Sequence, residues 1–237
     1  GSWRGEAARL TAPAVLNESR SKELLAAYGI ALPREEAVAG VKAAVAAAER
    51  IGFPVVLKAV SAAVPHKSDA GLVRLGLRDA AEVHAAALEV SRRCADLGVP
   101  LEGILVADHI SGGIETVLGI HRDPEMGPVV MVGLGGVWLE LFKDVAFAPP
   151  NLDERRACEA IAATRIGKIL AGYRGAPAYD AGALARAMVS LGRLALDLGE
   201  VIESVDVNPL LVMPAGGGVV ALDGLVVLRP GPERETF

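Results

Sequence analysis

The chain has 237 residues, 52% of them apolar but only 4% aromatic, and a formal net charge of −5. That length is enough to bury one large core or two compact ones, and the acidic balance without a basic block excludes the electrostatic footprint of a DNA or RNA binder. No stretch approaches the roughly 18 uninterrupted apolar residues of a membrane span, and the amino terminus shows no basic-then-apolar secretion signal, so a cytoplasmic protein without membrane contact is expected.

The chain opens Gly1-Ser2 rather than with Met, as a segment of a longer polypeptide would. A first helix is expected from Asn17, which can cap it, through Leu24-Leu25-Ala26-Ala27-Tyr28 to a stop at Gly29. A second places Val41, Val45, Ala48 and Ile51 on one face before Gly52-Phe53-Pro54 breaks it. The β-branched run Val55-Val56-Leu57-Lys58-Ala59-Val60 reads as a buried strand. A polar loop, Pro65-His66-Lys67-Ser68-Asp69-Ala70-Gly71, separates it from a returning strand over 72–77, and Asp79 caps a helix over 80–97.

Strands are then expected at 103–110, 114–121, 129–134 and 144–148, joined by short turn signals into one largely antiparallel sheet. Helical spacing returns after Leu152 and ends on Leu184, Met188, Leu191, Ala195 and Leu198. Cys94 and Cys158 fall in helical patterns without metal spacing, which predicts reduced, buried thiols. The order of elements predicts an α+β protein of two lobes, residues 16–102 and 103–229, with a ligand site in the cleft between them.

The closing segment carries the most chemistry. On a strand, alternation gives Asp206 and Asn208 one face, and Asp223 on an expected return strand can join them. These hard oxygen donors suit Mg²⁺, which keeps octahedral geometry at about 2.0–2.1 Å and holds nucleotide phosphates through one or two carboxylates. The competing reading, a turn served by Asp and Asn, fits poorly with the apolar neighbours Val205, Val207, Leu210, Leu211 and Val212.

Lys58 lies inside an apolar strand, where an ammonium needs a partner; a phosphate would provide one, and snorkelling to water is the alternative. No Gly-x-x-x-x-Gly-Lys-Ser/Thr segment occurs, which excludes a P-loop. Gly133-Leu134-Gly135-Gly136 either lets backbone amides approach an anion or supplies turn geometry. Glu115 either accepts hydrogen bonds from ribose hydroxyls or is a solvated strand-end carboxylate. His66 offers a neutral imidazole competent toward phosphorus, set against the ordinary reading of an exposed loop histidine.

Taken in order, Leu-Leu-Ala-Ala-Tyr-Gly-Ile, Phe-Pro-Val-Val-Leu-Lys, His-Lys-Ser-Asp-Ala-Gly, Gly-Leu-Gly-Gly, Gly-Tyr-Arg-Gly-Ala-Pro, Asp-Val-Asn-Pro-Leu and Leu-Asp-Gly resemble the ATP-grasp domain of NDP-forming acyl-CoA synthetases, relatives of the succinyl-CoA synthetase β subunit. The resemblance implies ATP or ADP between the two lobes. It implies Lys58 on the phosphates, the backbone of Ala107, Asp108, His109 and Ile110 against adenine, Glu115 on ribose, and Gly135 and Gly136 beside the nucleotide. Asp206, Asn208 and Asp223 would hold Mg²⁺, and His66 would relay phosphate.

The family reaction is acyl-CoA + ADP + phosphate to carboxylate + CoA + ATP. The resemblance therefore implies a partner, an α-type subunit or fused domain bearing the CoA site and the main phosphohistidine, with CoA and a small carboxylic acid as substrates and an oligomeric full-length form. Three positions depart from the family pattern: Ala107 stands where relatives often carry Glu or Gln, Gly71-Leu72 replaces Gly-Gly, and Leu225 replaces a basic residue. These changes keep open a second reading, a regulatory nucleotide- or acyl-CoA-sensing module of a protein acyltransferase. A third, a carboxylate-amine ligase of the same fold, fits the His66 loop less well.

Overall fold

The computed structural model describes residues 3–61, 63–64, 70–136 and 144–230. The chain divides into two compact units: the smaller holds 17–19 and 32–111, and the larger holds the rest of the described chain. It opens with α1 (Trp3–Ala7), β1 (Ala14–Val15) and α2 (Glu18–Ala27), which stops before Gly29 at φ 83°.

The smaller unit follows as β2 (Glu35–Val38), α3 (Val41–Ile51), β3 (Val55–Val60), β4 (Val73–Leu77), α4 (Ala80–Asp96) and β5 (Gly103–Asp108). Its sheet runs β2-β5-β3-β4, all neighbours antiparallel. All six residues of β3 are buried, as an interior strand of continuous apolar character should be. Ala44, Ala47, Ala48 and Ile51 of α3 share one core with Val83, Ala86, Ala87, Val90 and Cys94 of α4, small side chains letting both helices lie close to the sheet. Asp79 caps α4 by accepting from Glu82 N at 2.8 Å, and the Glu82 carboxylate accepts from Arg78 N at 2.8 Å.

The larger unit adds β6 (Ile114–Asp123), β7 (Gly127–Leu134), β8 (Val145–Ala148), α5 (Glu154–Ala162), α6 (Arg165–Leu170), α7 (Ala181–Leu198), β9 (Ile202–Val212), β10 (Val219–Ala221) and β11 (Leu225–Leu228). Its sheet runs β1-β11-β9-β6-β7-β8, with β10 also on β9. Leu184, Met188, Leu191, Ala195 and Leu198 of α7 are buried, at the spacing the sequence predicts.

Two expectations change. The strand at 103–108 pairs with β2 and β3 of the smaller sheet and not with β6, so the division falls at 111/112 and not at 102/103. Turn residues at Ser111-Gly112-Gly113 signal a chain reversal, but only long-range pairing decides which strands meet. Cys94 is buried as expected, whereas Cys158 is exposed, because it lies off the stripe of α5 that buries Ala157 and Ile161.

Asp180 starts α7 and joins it to the β9–β10 connection: Oδ1 accepts from Ala183 N at 2.9 Å and Oδ2 from Gly218 N at 3.1 Å. The Ala183 amide, chiefly, holds this carboxyl below its ordinary range. A depressed carboxyl stabilises the fold above its unfolded pKa and loses that contribution as pH falls through its folded value. Asp180→Ala is therefore expected to lower stability by about 1–2 kcal/mol at neutral pH, with the deficit shrinking in acid, as read from denaturant unfolding at pH 7 and pH 3.

Candidate functional site

In the larger unit the chemistry-bearing residues collect on the neighbouring strands β9, β6 and β7. Thr116 pairs with Leu210 and Leu118 with Val207, so β9 has Asn208 and Pro209 where β6 has only Val117. Such a bulge re-aims the side chain it carries. Buried Thr116 secures it, Oγ1 donating to Leu210 O at 2.7 Å. With alternate residues facing alike, this register puts Glu115 on the face that Asp206 and Asn208 share.

Gly135 and Gly136 close the group at the end of β7. Gly135 N donates to Glu115 O at 3.1 Å, and Gly136 N donates to Asn208 Oδ1 at 2.9 Å. A Cβ on Gly135 would stand 2.5 Å from the Thr116 backbone, and one on Gly136 would stand 2.1 Å from Glu115 Oε2. Both N–H groups are thus engaged within the unit. The glycines admit Thr116 and Glu115 at close range and do not turn their amides to an anion.

Asp223 lies in the bend between β10 and β11 and not on a return strand. Both flanking strands pair with β9, Ala221 opposite Leu210 and Leu225 opposite Asp206, so the bend runs alongside residues 207–209. Leu222 N donates to Pro209 O at 3.0 Å and Gly224 N to Asp223 Oδ1 at 2.8 Å. The strand and the bend thereby bring Asp206, Asn208 and Asp223 to one stretch of the sheet. Among the described residues no group of three His, Cys, Asp or Glu gathers for a metal ion; the set here is two carboxylates and an amide oxygen, whose Oδ1 retains a second lone pair beyond the Gly136 bond. That donor set fits a hard cation.

In the smaller unit Lys58 sits on β3, paired with Leu105 and Val73. Its side chain is 11% exposed, and Nζ donates at 2.9 Å to Oε1 of Glu18, whose side chain is 1% exposed. The ammonium therefore has a protein carboxylate as a partner, which the sequence reading did not find. Nothing local links two residues 40 positions apart.

Ala107 is buried and pairs with Glu35 and Val56, so it offers a nucleotide no polar side chain. The Asp108 carboxylate takes both prongs of the Arg34 guanidinium, at 2.7 and 2.9 Å, and Asp108 N donates to Arg34 O. His109 N donates to Pro54 O at 3.2 Å. Their carbonyl oxygens, with two lone pairs each, are what this end of β5 can present to a base. His66 lies outside the described residues. Lys22, 1% exposed on α2, was also missed; its Cγ lies 3.9 Å from where a Cβ on Gly224 would stand, one residue beyond Asp223.

A family model described as an ATP-grasp domain matches residues 7–228. Trans-feruloyl-CoA synthase FCS1, from an unknown prokaryotic organism, is 41% identical over 217 residues, which is 91% of this chain but 31% of that protein. The β subunit of ADP-forming acetate–CoA ligase II of Pyrococcus furiosus is 33% identical over 214 residues, 90% of this chain and 91% of that subunit. The chain thus spans under a third of the first relative and most of the second. Among solved structures, dinucleotide-forming acetyl-coenzyme A synthetase 1 of Ca. Korarchaeum cryptofilum, in complex with coenzyme A and Mg-AMPPCP and with its phosphohistidine segment pointing towards the nucleotide binding site, matches with a TM-score of 0.79 at 36% identity over 91% of this chain and 93% of that one.

Proposed function

The chain belongs to the ATP-grasp family that includes the β subunits of ADP-forming acetate–CoA ligases, and from that membership we propose that it binds ADP or ATP with Mg²⁺ as the nucleotide half of an ADP-forming acyl-CoA synthetase. The observation that carries the reading is the gathering of Glu115, Asp206, Asn208 and Asp223 beside the close-packed Gly135-Gly136 turn. In this reading Lys58 meets the phosphates, carbonyls from Ala107 to Ile110 flank the adenine, and Glu115 accepts from the ribose hydroxyls. Asp206, Asn208 and Asp223 hold the Mg²⁺, which offsets phosphate charge. Gly135 and Gly136 fix where Glu115 and Asn208 sit. The chain contributes alignment and charge neutralisation, the usual means of catalysing phosphoryl transfer.

The reaction is carboxylate + CoA + ATP in exchange for acyl-CoA + ADP + phosphate. Carboxylate and CoA would be bound by a CoA-binding half, supplied as another subunit or as a further part of one polypeptide. Phosphoryl reaches that half through histidine: a neutral imidazole nitrogen attacks the γ-phosphorus, the bond to the β-phosphate oxygen breaks, and ADP leaves. His66 takes the carrier role on this chain. No described helix is long and apolar enough to cross a membrane.

The test is incubation with γ-labelled ATP, Mg²⁺ and the CoA-binding half. Histidine-bound label is expected, and His66→Ala is expected to reduce it. Nucleotide binding with neither labelled histidine nor acyl-CoA formation would replace the synthetase reading by a sensing module.

A further inference from the structure

We propose that Glu18 is the positioning residue of the nucleotide site, the fixed carboxylate that keeps the Lys58 ammonium charged and aimed at the phosphates. The inference rests on the reading of Lys58 as the phosphate-binding cation. It starts from an electrostatic difficulty. All six residues of β3 are buried, and burial favours the neutral amine of a lysine over its ammonium. A neutral Lys58 would have neither the charge nor the third N–H with which to hold a phosphate.

The Glu18 carboxylate resolves this. Its Oε1 accepts from Lys58 Nζ at 2.9 Å, and its side chain, 1% exposed, is far better shielded from water than an ordinary surface glutamate. Shielding strengthens the pair and restricts where the carboxylate can go. Glu18 also begins α2, where the helix N-terminus stabilises a negative charge. One of the three ammonium donors is directed at Glu18, and that bond sets the direction in which the others point. Glu18 need not touch the nucleotide; it acts through Lys58.

A competing role is that Glu18 neutralises Lys58 and must be displaced by phosphate, in which case removing its charge would tighten binding. Measuring affinity for Mg-ADP and for adenosine in the intact chain separates the roles. Glu18→Gln keeps a hydrogen-bond acceptor and removes the charge, and it is expected to weaken Mg-ADP about tenfold, the loss typical of a charge-assisted bond, with adenosine affinity unchanged. In a Lys58→Ala background the same substitution should weaken Mg-ADP no further, because the group it acts through is gone.

Wild-type or tighter Mg-ADP affinity in Glu18→Gln, or an equal loss for adenosine, overturns the proposal. Should Glu18→Gln be too unstable to purify, Glu18→Asp retracts the charge by one methylene and is expected to weaken Mg-ADP alone; undiminished affinity there overturns it equally. If Lys58→Ala itself binds Mg-ADP normally, what fails is the phosphate reading of Lys58, a result distinct from a Glu18 effect absent while the Lys58 effect is present.

Discussion

Lys58→Ala is expected to weaken Mg-ADP binding by more than about tenfold, since a charge-assisted hydrogen bond contributes roughly 1.5–3 kcal/mol. The structure adds a second reason for a large effect. Lys58 is the cation at 2.9 Å from a carboxylate whose side chain is 1% exposed. Removing it leaves that anion near the position assigned to the phosphates, so attraction is lost and repulsion appears. Breaking a buried pair by removing one partner also costs about 3–5 kcal/mol of stability, so the thermal midpoint should fall too. Lys58→Ala combined with Glu18→Gln removes both charges and is expected to recover much of that stability, but of the affinity only the share lost to repulsion from Glu18. Isothermal titration with Mg-ADP and thermal unfolding on the same three proteins check all of this; unchanged affinity in Lys58→Ala removes the residue from the site.

The second large effect is expected at the paired glycines, and the two should fail differently. A Cβ on Gly135 meets the backbone of Thr116 at 2.5 Å, and Thr116 holds the β6–β9 register through its bond to Leu210 O. Backbone cannot move aside as a side chain can, so Gly135→Ala is expected to cost about 3 kcal/mol or more and to abolish nucleotide binding along with the fold of that edge. At Gly136 the obstacle is the end of the Glu115 side chain, 2.1 Å from the added Cβ, and the backbone sits at φ 60°. Glu115 can swing away, so Gly136→Ala is expected to cost about 1 kcal/mol in stability while displacing the carboxylate assigned to ribose. Denaturant unfolding paired with Mg-ADP titration distinguishes them. Equal stability loss in the two variants would mean that the glycines serve one structural purpose and that Glu115 has no separate role at the site.

The candidate residues Lys58, Asp206 and Asn208 stand out in the sequence, and the reasons are local. A lysine inside Val55-Val56-Leu57-Lys58-Ala59-Val60 stands out because a continuous apolar run implies burial on both faces. Asp206 and Asn208 stand out because they are polar at period two in an otherwise apolar strand. Glu18, by contrast, has only its place at the start of the first expected helix to mark it, and nothing in the sequence singles out Arg34. Their importance comes from partners at distant positions, Lys58 and Asp108, which no pattern in a short window reveals. Gly135-Gly136 is a related case. The sequence shows that glycine is needed there, but only packing shows that the need arises from Thr116 and Glu115.

The sequence by itself determined the α+β class, the family, most helices and strands, and which side chains had chemistry to offer, because periodicity, capping and ordered motifs are properties of contiguous residues. The tertiary structure decided which sheet received the strand at 103–108, that a bulge and a bend bring Asp223 alongside Asn208, and that Lys58 has a buried carboxylate for a partner. Strand pairing and ion pairing are settled by contacts between residues tens of positions apart. Those contacts are selected by the burial of the whole apolar surface, and no single segment carries that information.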